Sequence, residues 1–338
     1  RDSVASRGLG DVYKRQVMIS LLRKLIADRH ERWFYAGIVV IAANAGGAWS
    51  PIGDVTTTML WIGGQVTASG IVTSLFLPSL VCLVVPLIVM SFILRGEIDS
   101  PRVKESDESR SDPTTPFERN LVFALGLGAL VFVPVFKTIT HLPPYMGILF
   151  GLGVLWVVTE IIHRSKNSEE KDPLSVVGVL RRIDITSVLF FLGILLAVSA
   201  LSSAGHLIQV ATLLKDGLGN VYSIALSIGM LSAVVDNVPM VAGAMKMYPL
   251  ITPQALTLAA NTSELPWLSH FVVNGSFWEM LAYCAGTGGS CLIIGSAAGV
   301  AAMGMEKINF IWYLKRISGL ALLGYLSGAG TYMLIASL

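Results

Sequence analysis

Ala42-Ala43-Asn44-Ala45-Gly46-Gly47-Ala48-Trp49-Ser50-Pro51-Ile52-Gly53-Asp54 is the stretch on which the fold turns. Its surroundings are apolar, yet two adjacent glycines, a proline and a third glycine interrupt any helix drawn through it, and an aspartate closes it. Glycines release backbone amides and carbonyls from the helical ladder. At membrane depth that is tolerated only where the freed groups face protein or water. The pattern recurs as Gly288-Gly289-Ser290-Cys291-Leu292-Ile293-Ile294-Gly295-Ser296. Both copies read Gly-Gly, four residues, Ile-Gly and then a polar side chain. Paired Gly/Pro-interrupted apolar segments in corresponding positions point to the binding site of a transporter.

The chain around these stretches has the composition of a membrane protein. Only 14% of its residues are charged and 54% are hydrophobic, against about 25% charged in a soluble domain. Of 46 Asp, Glu, Lys and Arg residues, 33 fall within 1–32, 95–119 and 163–184. Between those stretches run apolar blocks near the roughly 20 residues that a span needs. The clearest are 75–94, 120–136, 145–162, 185–203 and 310–335. Shorter, broken blocks fill 33–72 and 205–305, for roughly nine to eleven membrane-embedded segments in all, some of them partial. The blocks are apolar all round, whereas a soluble helical protein needs stripes. The net charge of +2 gives no basic footprint, and no nucleic acid is expected as a partner. Cys82, Cys284 and Cys291 lie in apolar stretches without metal-ligand spacing and read as buried packing residues.

The Lys and Arg residues of 95–119 and 163–184 fall on one side of the membrane, which the positive-inside rule assigns to the cytoplasm. The 95–119 stretch reads as a polar linker between two transport halves, 17–94 and 120–338. Residues 1–16 open without Met, carry six charges and have neither a signal-peptide core nor the length of a span. They read as non-native, and resequencing the locus tests this: a continuous native frame through these codons contradicts it.

Three carboxylates remain deep in apolar context: Asp54, Asp236 and Glu279. A charge at the membrane centre costs at least about 2.5 kcal/mol on insertion scales, which makes such groups functional candidates. Asp54 precedes Val55-Thr56-Thr57-Thr58, so carboxylate, hydroxyls and loosened carbonyls supply hard oxygen ligands for a small cation. The competing role for Asp54 is a helix cap. Asp236 sits in Leu231-Ser232-Ala233-Val234-Val235-Asp236-Asn237-Val238-Pro239, where Pro239 breaks the helix; the competing role is a capping turn at a membrane surface. Glu279 lies near the start of its apolar run and reads equally as an interfacial glutamate or a proton site.

Residues 42–62, from Ala42 through Asp54-Val55-Thr56-Thr57-Thr58 to Ile62, resemble the signature segment of NhaD-type sodium/proton antiporters. Ser232 to Pro239 and Gly286 to Gly304 resemble second-half motifs of that family and of the wider ion-transporter superfamily. The resemblance implies an all-α polytopic membrane protein with two inverted repeats, each holding a re-entrant hairpin and a broken helix. Here the first repeat is incomplete, because the family's first-half counterpart of Asp236-Asn237 is expected just before Val17. It further implies a bacterial inner-membrane carrier that exchanges Na⁺ or Li⁺ for protons, needs no cofactor and is not an enzyme. Beyond the lipid bilayer and the ions, a homodimer is left open. Carried onto matching positions, the ion and proton ligands are Asn44, Asp54, Thr56, Thr57, Ser232, Asp236, Asn237, Ser290 and Ser296, with transported Na⁺ held by Asp54 and Asp236. Gly46, Gly47, Gly53, Pro239, Gly288, Gly289 and Gly295 are the helix breaks.

The mechanism expected from these residues is competition between a proton and Na⁺ at the two aspartates, with one repeat rocking against the other. An arsenite or dicarboxylate carrier on the same fold is the nearer alternative, although an anion site favours helix N-termini and hydroxyls over carboxylates. An intramembrane aspartyl protease is the distant one. Its dyad needs two carboxylates at close range, and Pro51-Ile52-Gly53-Asp54 lacks the first glycine of the Gly-x-Gly-Asp pattern such an enzyme carries.

Overall fold

The computed structural model describes residues 19, 21–23, 25–94, 114–164, 166–167, 171, 174–181 and 185–337. The expectations for 1–16 and for most of the 95–119 linker lie outside them. Every regular element among the described residues is helical, so the chain is an all-α polytopic membrane protein. It forms two compact units, one within 102–188 and one made of 10–101 with Leu189–Leu338.

The first unit is a helical hairpin. Helices α4 (Pro116–Thr140) and α5 (Pro144–Ile162) each open with proline at the first helical position, where the missing amide proton is not needed. Thr115 and Glu118 form a reciprocal capping box, so α4 begins four residues inside the stretch read as linker. The left-handed His141 (φ 58°) ends it. A Cβ on Gly151 would stand 2.7 Å from the Ala129 methyl, a measure of how closely the two helices approach. Lys166 pairs with Glu118 at 2.7 Å, and Lys171 pairs with Glu160. Only 6% of the most apolar 18-residue window of α4 is buried, which an aqueous surface does not tolerate and hydrocarbon does. The short α6 (Val176–Leu180) closes the unit.

The second unit holds the broken helices. Its long pair is α3 (Ala68–Ile93) against α16 (Ser318–Ser337). Both are long and apolar enough to cross a membrane, as are α4 and α5. Helix α7 (Ile185–Ser203), in this unit from Leu189 onward, continues past the left-handed Gly205 into α8 (His206–Leu218), with a bend of 77° between Val188–Ser203 and α8. Shorter helices complete the unit: α1 (Arg29–Ala48), α2 (Val55–Ile62), α9 (Val221–Leu231), α10 (Asn237–Met247), α11 (Pro253–Leu258), α12 (Leu265–Leu268), α13 (Ser276–Gly288), α14 (Ala297–Glu306) and α15 (Phe310–Arg316). At its centre lies α13, buried at every residue from Phe277 to Gly288 and packed against α1, α2, α3, α9, α10 and α16. Close approach is bought with glycine: a Cβ on Gly324 of α16 would meet the Cys82 carbonyl of α3, and one on Gly229 of α9 would stand 2.6 Å from Cys284 of α13. Glu306, at the end of α14, is buried with Arg23 at 2.5 Å and Arg32 at 3.2 Å. All three cysteines are buried and free.

Two features differ from the hydropathy reading. The block 310–335 is two helices, broken at Ile317 after Lys315 and Arg316 close α15. Several of the shorter blocks are helices of eight to eleven residues, too short to span, that end at glycine or polar breaks.

Candidate functional site

The two Gly-Gly motifs fold alike. In the first, α1 ends at Ala48, the chain turns through 49–54, and Asp54 in extended conformation (φ −133°, ψ 155°) caps α2. In the second, α13 ends at Gly288, the chain turns through 289–296, and Ser296 (φ −145°, ψ 152°) caps α14. The glycines are needed for space. A Cβ on Gly53 would lie 2.6 Å from the Gly47 carbonyl oxygen, and one on Gly289 would lie 2.5 Å from the Gly295 oxygen. A Cβ on Gly295 would lie 2.5 Å from the Ala233 oxygen in the third break. Gly46 meets nothing within 4 Å. The third break separates α9 from α10, with Ser232 at the C-cap of α9 and Asp236 at the N-cap of α10.

The breaks meet through side chains. Asn44 on α1 donates its amide to Ser290 Oγ at 2.8 Å and to Ser296 Oγ at 2.9 Å. The Asp54 Oδ2 accepts the Thr56 hydroxyl at 2.7 Å and the Asn237 amide at 3.1 Å, while Oδ1 accepts the Val55 amide at 2.7 Å. Thr57 completes a capping box with Asp54 and also reaches toward the Gly47 carbonyl at 3.4 Å. Ser232 is fully buried and donates to the Gly229 carbonyl at 2.7 Å. Asp236 is half-buried at its break, beside buried Asn237.

Seven of the nine nominated polar residues therefore fall into two clusters, Asn44–Ser290–Ser296 and Asp54–Thr56–Thr57–Asn237. Ser232 and Asp236 lie on the break that supplies Asn237. Asp54 caps α2 and is also the hub of a polar cluster. The clusters are rich in neutral oxygens. Among the described residues no group of three or more His, Cys, Asp or Glu could hold a metal.

Sequence reading missed three supporting residues. Gly286 on α13 faces the carboxylate: a Cβ there would stand 3.1 Å from the Ala48 methyl and 3.8 Å from Asp54 Oδ2. Gly229 admits Gly288, and its own Cβ would crowd Cys284. The Tyr313 hydroxyl donates to the Ser290 carbonyl at 2.9 Å and so braces the second turn. Gly286 stands beside the second motif; nothing in the sequence singled out Gly229 or Tyr313.

Comparison with known proteins gives the family. The family model described as Citrate transporter (CitMHS) matches residues 15–271. The chain belongs to this family, among its NhaD-type antiporters. It is 50% identical over 322 residues to Sodium/proton antiporter 1 of Arabidopsis thaliana, covering 95% of this chain and 52% of that protein. It is 47% identical to Sodium/proton antiporter 2 of the same plant, covering 94% and 71%. It is 31% identical to the Na⁺/H⁺ antiporter NhaD of Vibrio parahaemolyticus, covering 85% and 67%. The chain thus spans about half the length of the first of these relatives. The family is one of transporters, not enzymes.

Proposed function

We propose that this chain is the part of a Na⁺/H⁺ (or Li⁺/H⁺) exchanger that carries the ion site, with Asp54 and Asp236 binding a proton and the alkali cation in competition. One observation carries the reading: Asp54 is held from both sides, by Thr56 of its own broken segment and by Asn237 of the second-half break. Asn44 crosses in the opposite sense to Ser290 and Ser296. A carboxylate bonded to both broken segments would let its ligand alter how they pack, as alternating access requires. Asn237 and Thr56 contribute donors to the Asp54 carboxylate. Turning the Asn237 amide presents its oxygen instead, and the Thr56 oxygen keeps lone pairs for a cation. Exchange follows because proton and Na⁺ compete for the same charge. The two halves are read as inverted repeats, and the names of the relatives given above favour Na⁺ and H⁺ as the ions.

The family description favours one second reading, a citrate-type carrier. Against it, the N-terminus of α2, where an anion would seat, already holds the chain's own Asp54 carboxylate. A second anion there meets like charge at close range. As for the membrane, the bacterial inner membrane rests on the Vibrio relative, whereas the higher identities are with plant proteins; expression of a tagged protein in its own organism decides. The functional test is uptake of radioactive Na⁺ into proteoliposomes holding the complete protein, driven by an imposed pH gradient. Uptake inhibited by Li⁺ and unaffected by citrate, arsenite or succinate supports the exchanger. Citrate uptake without Na⁺ uptake overturns it.

A further inference from the structure

Glu279 lies outside the clusters at the breaks, on buried α13, nine residues before Gly288 and so about 14 Å along the helix. It is only 8% exposed. Its Oε1 accepts the Ser74 hydroxyl of α3 at 2.8 Å, and its Oε2 accepts the Tyr332 hydroxyl of α16 at 2.9 Å. Among the described residues it forms no ion pair, whereas Glu306, equally buried, is held by two arginines. A buried carboxylate without a counter-charge is costly, so a proton or a cation must neutralise it for part of the working cycle. The partners suit a proton. Hydroxyls both donate and accept, so they can give two hydrogen bonds to the ionised acid. When Glu279 is protonated, Tyr332 can accept from it and turn its own proton to the Ser276 carbonyl, 3.4 Å away. Ser74 can likewise turn to a carbonyl one turn back in α3. The shell is satisfied in both charge states, which a purely structural glutamate does not need.

The other titratable groups on the packed elements are Arg29, His30, Glu31, Arg32 and Tyr35 in the first two turns of α1, Tyr222 on α9, Cys82 on α3, Tyr283 and Cys284 on α13, Tyr325 on α16, exposed Lys246 on α10, and His270 in the Ser269–Phe271 turn. His270 donates to or accepts from Ser276 at 2.6 Å and stands beside Tyr222, which in turn contacts Tyr332.

We propose that Glu279, with Ser74 and Tyr332, is a second proton-binding carboxylate of this carrier, separate from the Asp54–Asn237 cluster. That it binds a proton stands on its own geometry; that the proton is counted in exchange rests on the exchanger reading. The test is infrared difference spectroscopy of the complete protein in lipid, titrated over about pH 5 to 10. A protonated-carboxyl band that vanishes with rising pH, is absent in Glu279→Gln and persists in Asp54→Asn is expected. Tyr332→Phe removes a charge-assisted donor from the ionised acid and only a weaker neutral acceptor from the protonated one, so its band should vanish at about tenfold lower proton concentration. Identical spectra for wild type and Glu279→Gln, or no shift in Tyr332→Phe, overturn the site. In proteoliposomes Glu279→Gln should move one proton fewer per Na⁺. Wild-type exchange with an unchanged proton count in that variant overturns the coupling. Absence of Na⁺ exchange in wild type overturns the exchanger reading instead, and leaves the infrared result standing.

Discussion

Gly46 and Gly53 look interchangeable in the motif, but the structure gives them opposite tolerance for a methyl group. At Gly53 the backbone is not left-handed, so conformation does not forbid alanine and only space does. The new Cβ would lie 2.6 Å from the Gly47 oxygen and 2.8 Å from the Gly47 Cα. Ordinary contact begins at 3.4 Å, so the two sides of the turn must part by about 0.8 Å, and both are backbone. Overpacking of this kind costs about 1–3 kcal/mol, and Asp54, the next residue, moves with the turn. Displacements near 1 Å at a working site cost on the order of a hundredfold in rate. Gly53→Ala should therefore reduce exchange at least about tenfold while the protein still inserts, with its melting temperature lowered by several degrees. Gly46→Ala, in open space on α1, should keep exchange and gain about 0.5–1 kcal/mol from helix propensity. The assay is initial exchange rate in membrane vesicles, normalised to inserted protein, with melting of the purified variants. Wild-type rates in Gly53→Ala, or equal losses in the two variants, would refute the packing argument.

Asn44→Ala leaves the Ser290 and Ser296 hydroxyls without their amide partner, a loss of about 1–3 kcal/mol, and should weaken Na⁺-dependent exchange about tenfold or more; an unchanged apparent Na⁺ affinity would count against the bridge. His163, just past α5, is held below the ordinary histidine range by burial and then by the Lys166 ammonium 2.9 Å away. The native state thus resists protonating it, so its stabilisation is present above about pH 6.5 and is lost as pH falls below that value. Melting of the protein should drop more steeply toward pH 5 in wild type than in His163→Gln, and parallel curves would dismiss the effect. Ser296→Ala removes the cap of α14 and should lower stability by about 1 kcal/mol, read as an earlier melt.

What was legible locally was chemistry that conflicts with its surroundings. Asp54, Asp236 and the two Gly-Gly motifs stand out because apolar sequence encloses them, and Asn44, Asn237, Ser290 and Ser296 lie at the resulting breaks. What was not legible depends on the tertiary path. No local pattern tells that Asn44 reaches a serine 246 residues away, or that Gly286 keeps a wall of the cluster open. Hydropathy windows cannot separate a span from two short helices meeting at a polar break, which is why 310–335 read as one block although Lys315 and Arg316 divide it. Glu279 was ambiguous because its distance from the start of an apolar run says nothing of how many helices surround it; burial of all of α13 from Phe277 onward places it inside.

The central claim, that Asp54 exchanges a proton for an alkali cation, is tested most directly by adding Na⁺ or Li⁺ to respiring everted vesicles that carry the complete protein in cells without their own antiporters. The pH gradient is followed with a fluorescent probe. The account predicts that either cation collapses the gradient in wild type and that Asp54→Asn, inserted to the same level, abolishes the response. A gradient that neither ion disturbs, or one that collapses equally in the Asp54→Asn protein, would contradict it.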